Sequence, residues 1–213
     1  THLVRLTGTG AYDPTFRFAA DFDPGGVVVA EDGSGDVYAV TSGPDLDCGP
    51  EAAANPQCAY ALEIARLNVD GSVDPSFSTR HGFPGGLPEN ANPAWIQSLL
   101  AMPNGNVAVG GSLLSYNGVA VSSLVRLNVD GTLDTMFVGH VGYASTPVVE
   151  VMAPVGPASQ DIYIGGRIGL FRVLGTGAFD SGFTAAVPMI ISSMAPVQDG
   201  TGDLYASGLA DNR

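Results

Sequence analysis

Short apolar runs broken by glycine-containing turns recur along the whole chain, and they fall into two alternating patterns. The first reads L-V-R-L-T-G-T-G-A-Y-D-P-T-F at 3–16 and I-A-R-L-N-V-D-G-S-V-D-P-S-F at 64–77. It returns as L-V-R-L-N-V-D-G-T-L-D-T-M-F at 124–137 and L-F-R-V-L-G-T-G-A-F-D-S-G-F at 170–183. The second pattern lies between these copies, as V-V-V-A-E-D-G-S-G-D-V-Y-A-V at 27–40 and S-L-L-A-M-P-N-G-N-V-A-V-G-G at 98–111. Its later copies occupy 151–166 and 193–208. Each box is an apolar strand, an Asp-Gly, Asn-Gly or Gly-x-Gly turn, and a second strand, which predicts a hairpin. No sustained 3.6-residue stripe of helical length occurs.

Two hairpins per period make four antiparallel strands, so the chain is predicted to be an all-β propeller of four four-stranded blades in a single domain spanning 1–213. The repeat units fall at about 27–77, 96–137 and 148–183. The fourth is 190–213 with 1–16, so the terminal hairpins complete one blade. That closure is expected within the chain, since an unpaired half-blade leaves an exposed strand edge. In an antiparallel meander the tight turns share one face. The two long insertions, 44–62 and 78–95, emerge on the other.

Composition narrows the chemistry. Of 213 residues, 29 are Gly and 15 Pro, which suits many short strands and turns. Eight Arg, no Lys and 21 acidic residues give a formal charge of −13. Such a surface repels phosphate backbones and anionic membranes, so nucleic acid is not an expected partner. The absence of Lys excludes a P-loop lysine, a Schiff-base lysine and a kinase-type ATP lysine. Two Cys cannot build a four-cysteine metal site, and His2, His81 and His140 are scattered. No G-x-S-x-G elbow occurs. Apolar runs stop short of the ~18 residues a membrane span requires, Pro188 and Pro196 interrupting the best candidate. The chain opens on Thr1 without a leader-like segment, and it reads as a processed protein or a cut fragment.

The box R-L-N-x-D-G-[ST]-[LV]-D-x-x-F, the downstream P-x-G-x-[VI]-x-[VI]-G-G strand and the S-Y-N-G loop at 115–118 together resemble the delta-sixty repeat family, best across 64–137. Residues 3–16 and 170–183 depart from it, with Gly-Thr-Gly where the family has Asn-x-Asp-Gly. The resemblance implies a propeller-like β array outside the cytoplasm, in large bacterial surface or secreted proteins. It attaches no reaction.

Asp13, Asp74, Asp134 and Asp180 each stand three residues before a Phe, and Arg5, Arg66, Arg126 and Arg172 recur with them. Catalysis needs one copy of a residue, so fourfold recurrence points to scaffold. The Asp is expected to accept backbone N–H bonds past a turn and the Arg to tie neighbouring groups together. Asn68, Asp70 and Asp74, with Asn128, Asp130 and Asp134, offer oxygen ligands that calcium could take. The glycine spacing is not that of an EF-hand, and two copies lack the Asn and first Asp, so no cofactor is expected. Cys48 and Cys58 share one insertion and read as a disulfide, which implies an oxidising compartment.

Where the repeats differ, function has room. The long-loop face carries Trp95, Arg80, His81, Tyr60 and Tyr116, an aromatic and polar set of the kind that binds glycans or peptides. The reading adopted from sequence is a non-enzymatic extracellular or cell-surface propeller, structural or adhesive, with other protein subunits or surface glycans as partners. The alternatives are a glycan- or peptide-binding module, or a hydrolase or lyase using Asp45, Asp47, Glu51 or His81 as acid and base.

Overall fold

The structure is a computed structural model that describes residues 3–18, 25–43, 61–78, 82–84, 95–113, 115–137, 148–167, 169–185, 189–197 and 199–210. It is all-β and every strand pairing is antiparallel. The first unit orders β1 (Val27–Val29), β2 (Val37–Gly43), β3 (Ala61–Leu67) and β4 (Phe83–Pro84). In the second, β5 (Trp95–Ala101), β6 (Val107–Ser112) and β9 (Leu124–Leu127) form the sheet, and β7 (Ser115–Tyr116) pairs with β8 (Val119–Ala120) as a small ribbon. The third unit is β10 (Val151–Pro154), β11 (Ile162–Gly166) and β12 (Gly169–Val173). The last is the two-stranded hairpin of β13 (Met189–Pro196) and β14 (Leu204–Ala210).

The expected four-stranded blade is corrected here. After the third strand the chain turns back for a single bridge, Leu67 with Val73, Leu127 with Leu133 and Val173 with Phe179. The cause is the aspartate that follows. Its carboxylate accepts the backbone N–H two residues on, closing an Asx turn that bends the return strand away before it extends. In the first unit the fourth strand, β4, comes instead from the 78–95 insertion, with Phe83 opposite Leu62.

Successive units stack through a shared core. Tyr38, Ile64, Phe77 and Phe83 of the first unit pack with Val107, Val109, Tyr116 and Leu127 of the second. Ala108 and Leu124 then pack with Met152, Ile162 and Ile164 of the third. Ala153 and Tyr163 meet Ile191 of the last hairpin. Polar links follow the same order. The Tyr38 hydroxyl donates to the Gly105 carbonyl at 2.8 Å, and that of Tyr163 to Gly202 at 2.5 Å. The tight turns gather on one face, Val69 against Gly35 and Val129 against Gly105.

The Asp-Gly turns are also where neighbouring first boxes touch. The Arg17 N–H donates to the Asp70 carbonyl and the Ser78 N–H to Asp130. A Cβ at Gly131 would lie 2.5 Å from the Ser78 carbonyl oxygen, on a backbone with φ of 85°. Gly10 has a similar φ and open space around it. Gly10→Ala is therefore expected to cost only the left-handed backbone penalty of about 1–2 kcal/mol. Gly131→Ala adds a backbone clash that Ser78 cannot relieve by a rotamer change, so its urea midpoint should fall clearly further than that of Gly10→Ala. Equal midpoints would contradict this packing.

The expected ring is not formed between described residues. Residues 3–18 are held on the first unit, where Phe16 and Phe18 pack with Ala39 and Leu67. The hairpin β13–β14 is held on the third. Among the described residues no backbone hydrogen bond joins the two ends, and Val4, Leu6, Tyr205 and Leu209 are all exposed.

Candidate functional site

The fourfold polar residues assemble into four copies of one clasp. In each, the Arg Nε donates to an Asp Oδ2 eight residues on, at 2.9 Å for Arg5–Asp13, 2.8 Å for Arg66–Asp74 and Arg126–Asp134, and 2.6 Å for Arg172–Asp180. A second guanidinium nitrogen, Nη2, reaches the same oxygen in every copy. The planar fork lies over the following Phe ring, with its carbon 4.6–5.6 Å from the centroid of Phe16, Phe77, Phe137 or Phe183. Oδ1 accepts backbone N–H groups of the Asx turn. Both carboxylate oxygens and most of the fork are consumed inside the fold.

The clasp also ties one unit to the next. Arg5 Nη1 donates to the Val69 carbonyl at 2.6 Å, and Arg66 Nη1 to Val129 at 2.9 Å. Arg126 breaks the series, and its buried Nη1 has no partner. The next box along the chain is the one in which L-G-T-G replaces N-V-D-G, and there the Gly175 N–H is engaged by Asp161.

Burial raises the affinity of Asp74 and Asp134 for a proton, but hydrogen bonds outweigh it. Ser76 and Arg66 hold Asp74 below the ordinary carboxylate range, and Arg126 with the Met136 and Phe137 N–H groups does so for Asp134. Asp70 and Asp130 are lowered first by the Ser72 and Thr132 hydroxyls, then by their backbone N–H groups. Folded-state values below the unfolded ones stabilise the protein above the unfolded carboxyl pKa, near 4. That stability is lost as pH falls through the folded values. The thermal midpoint should thus drop steeply below about pH 4. A midpoint that holds flat between pH 4 and 2 would contradict the clasp electrostatics.

The candidate calcium ligands are engaged with protein donors. Asp74 and Asp134 bind arginine, Asp70 and Asp130 accept from Ser72 and Thr132, and Asn68 and Asn128 donate to those same hydroxyls. Among the described residues no cluster of three or more His, Cys, Asp or Glu stands ready for a metal ion.

Of the proposed loop-face set, Cys48, Cys58, Tyr60, Arg80 and His81 lie outside the described residues, as do Asp45, Asp47 and Glu51. Tyr116 is a core residue and is corrected as a ligand contact. It is 1 % exposed, packs its ring tilted against Phe83 with centroids 4.9 Å apart, and donates its hydroxyl to the Gly131 carbonyl. Burial pushes its phenol pKa well above the ordinary value. Trp95 is 59 % exposed.

Next to Trp95, a cleft of about 290 Å³ opens where β1 and β5 meet, lined by Gly26, Val27, Val40, Ile96, Gln97, Ser98 and Leu99. The register shifts between Ile96 and Ser98, so Gln97 is the extra residue of a bulge. Its lining mixes aliphatic residues with backbone and polar groups, Gln97 and Ser98 among them. Sequence reasoning missed Gln97 and Ser98. Their only signal is two polar residues inside the apolar run W-I-Q-S-L-L-A.

No curated protein matches the chain. Residues 59–77 and 103–137 match the profile of a family described as a domain of unknown function (DUF5122) beta-propeller. The first matched segment carries the 64–77 box, and the second runs from the 104–105 turn through the Arg126–Asp134 clasp to Phe137. The chain is similar to a β-propeller-like repeat family.

Proposed function

We propose that the chain is a non-enzymatic, extracellular β-propeller repeat module of the delta-sixty kind, serving as a structural or adhesive surface component. The observation that carries this reading is the clasp. The polar constellation that recurs in all four copies of the first box spends its carboxylates on its own arginine and turn, and Arg5 and Arg66 reach on to the next copy, so the repeated residues are scaffold. Four units stacked as blades suit a rigid spacer or display surface. The Cys48 and Cys58 pair in one insertion supports an oxidising location, and a charge of −13 favours a soluble surface with little affinity for nucleic acid.

A second reading rests on the exposed Trp95 and the cleft beside it, which favour glycan or peptide binding on the same scaffold. One experiment tests both. The protein is incubated with a panel of polysaccharides and peptides, and both retention and product release are measured. Saturable retention that Trp95→Ala weakens, without new reducing ends or peptide termini, is the expected result. Release of product in proportion to protein would overturn the non-enzymatic reading.

A further inference from the structure

We infer that Arg126 Nη1 and Gln160 Oε1 together hold one internal water molecule at the joint between the second and third units. The joint before it shows what this one lacks. Between the first and second units the Tyr38 hydroxyl donates to the Gly105 carbonyl at 2.8 Å, and Arg66 Nη1 donates to the Val129 carbonyl at 2.9 Å. Tyr38 and Arg66 stand opposite each other on paired strands, as do Tyr163 and Arg172 in the third unit. In the second unit the same register puts Ala108 opposite Arg126. The phenol is therefore missing here, and Arg126 Nη1 is buried with no hydrogen-bond partner.

The repeat places Gln160 on the other side of this joint. Met102, Val155 and Val197 each donate their N–H across a tight turn, to the carbonyls of Asn106, Asp161 and Asp203. The residue before each of these acceptors is Gly105, Gln160 and Gly202. Gly105 and Gly202 have φ of 81° and 78°, and each gives its carbonyl to a tyrosine of the preceding unit. Asn117 is the one non-glycine in the left-handed region among the described residues, so Gln160 does not share that backbone. It takes the place toward which a tyrosine at 108 would point. Its neighbour has changed with it. In the second unit a Cβ on Gly105 would lie 3.0 Å from Val129, whereas in the third a Cβ on Gly175 would lie 2.9 Å from the Gln160 Cβ. Bulk has moved from one side of that contact to the other. Gly175 is also the counterpart of Val129, the residue whose carbonyl Arg66 uses, so the repeat directs the Arg126 fork to the spot Gln160 adjoins. Gln160 Oε1 is itself buried and without a partner.

One unpaired donor and one unpaired acceptor at a single joint call for water. Each left alone carries the desolvation cost of a buried polar group, and one water bonded to both answers the two together. The Arg126 charge is already met by Asp134 at 2.8 Å, which leaves nothing for an anion to neutralise, and the guanidinium repels a metal ion. The rest of the joint is an apolar cluster of Met102, Ala108, Leu124, Ile162 and Val173, with no side-chain oxygen or nitrogen to offer either group. Relative to the first joint, a phenol ring and a valine side chain are gone and one glutamine side chain is added. That net loss of volume provides the room.

A crystal structure of the whole chain, at a resolution that shows ordered water, tests this directly. One water within hydrogen-bond distance of both Arg126 Nη1 and Gln160 Oε1 is the expected result. Nη1 bonded directly to Gln160 or to the Gly175 carbonyl overturns the inference, and so does a water that touches only one of the two groups. Urea unfolding tests the placement on which it rests. Ala108→Tyr should lower the midpoint because the ring meets Gln160, and adding Gln160→Gly should recover most of that loss by reopening the direct link. Equal losses for the single and double variants would show that residues 108 and 160 do not face each other, and would overturn the inference as well. The wild-type crystal structure decides if Ala108→Tyr fails to fold.

Discussion

Asp134→Ala should destabilise the protein by about 3–5 kcal/mol, the range found when one partner of a buried ion pair is removed. Arg126 is 8 % exposed, and its Nη1 already lacks a partner. Removing Asp134 takes away the acceptor for Nε and Nη2 together, so the guanidinium keeps only the Phe137 ring at 4.6 Å. The same substitution removes the acceptor for the Met136 and Phe137 N–H groups and opens the Asx turn. For a chain of this length each kcal/mol moves the thermal midpoint by roughly 2–4 °C, so the fall should be on the order of 10 °C. Asp134→Asn, which keeps one acceptor oxygen, should lie between. An unchanged urea midpoint for Asp134→Ala would show that the clasp does not hold its own turn and strand in place.

Phe83→Ala is expected to cost about 3–5 kcal/mol, as for other fully buried Phe truncations. The residue lies in the 78–95 insertion, the segment read from sequence as a functional loop, yet it has no solvent exposure. It packs against the Tyr116 ring, sits opposite Leu62 in β4, and belongs to the cluster that joins the first two units. Trp95→Ala, some residues later and largely exposed, should change the urea midpoint little. The contrast separates the part of the insertion that closes the core from the part available to a ligand. Comparable losses for the two variants would contradict this division.

The repeat architecture was legible because it is written locally. Turn glycines, an apolar strand on either side and a fixed Arg–Asp–Phe spacing determine each hairpin and each clasp without knowledge of the rest of the chain. Strand count was not legible. Asp74 and Asp134 look like residues of a fourth strand, and only the geometry shows their carboxylates bending the backbone out of it. Tyr116 misled for a related reason. An aromatic residue in an S-Y-N-G loop reads as exposed, but its position is decided by Phe83 and Gly131, which are distant in sequence. The cleft beside Trp95 depends on a bulge at Gln97, a one-residue register shift that alternation along a short apolar run does not announce. The exposed edges at β14 and 3–6 follow from where each end packs, a tertiary fact that matching half-blades in a sequence do not determine.

The central claim is that the recurring aspartates are scaffold, and it is tested most directly by replacing Asp13, Asp74, Asp134 and Asp180 with Asn, one at a time. Each variant is measured for its urea midpoint and for retention on the polysaccharide and peptide panel. The account predicts that all four midpoints fall, Asp134→Asn among the furthest because its pair is the least exposed of the four, while the folded variants keep wild-type retention. A variant with an unchanged midpoint that abolishes retention would make that aspartate a binding residue and contradict the account.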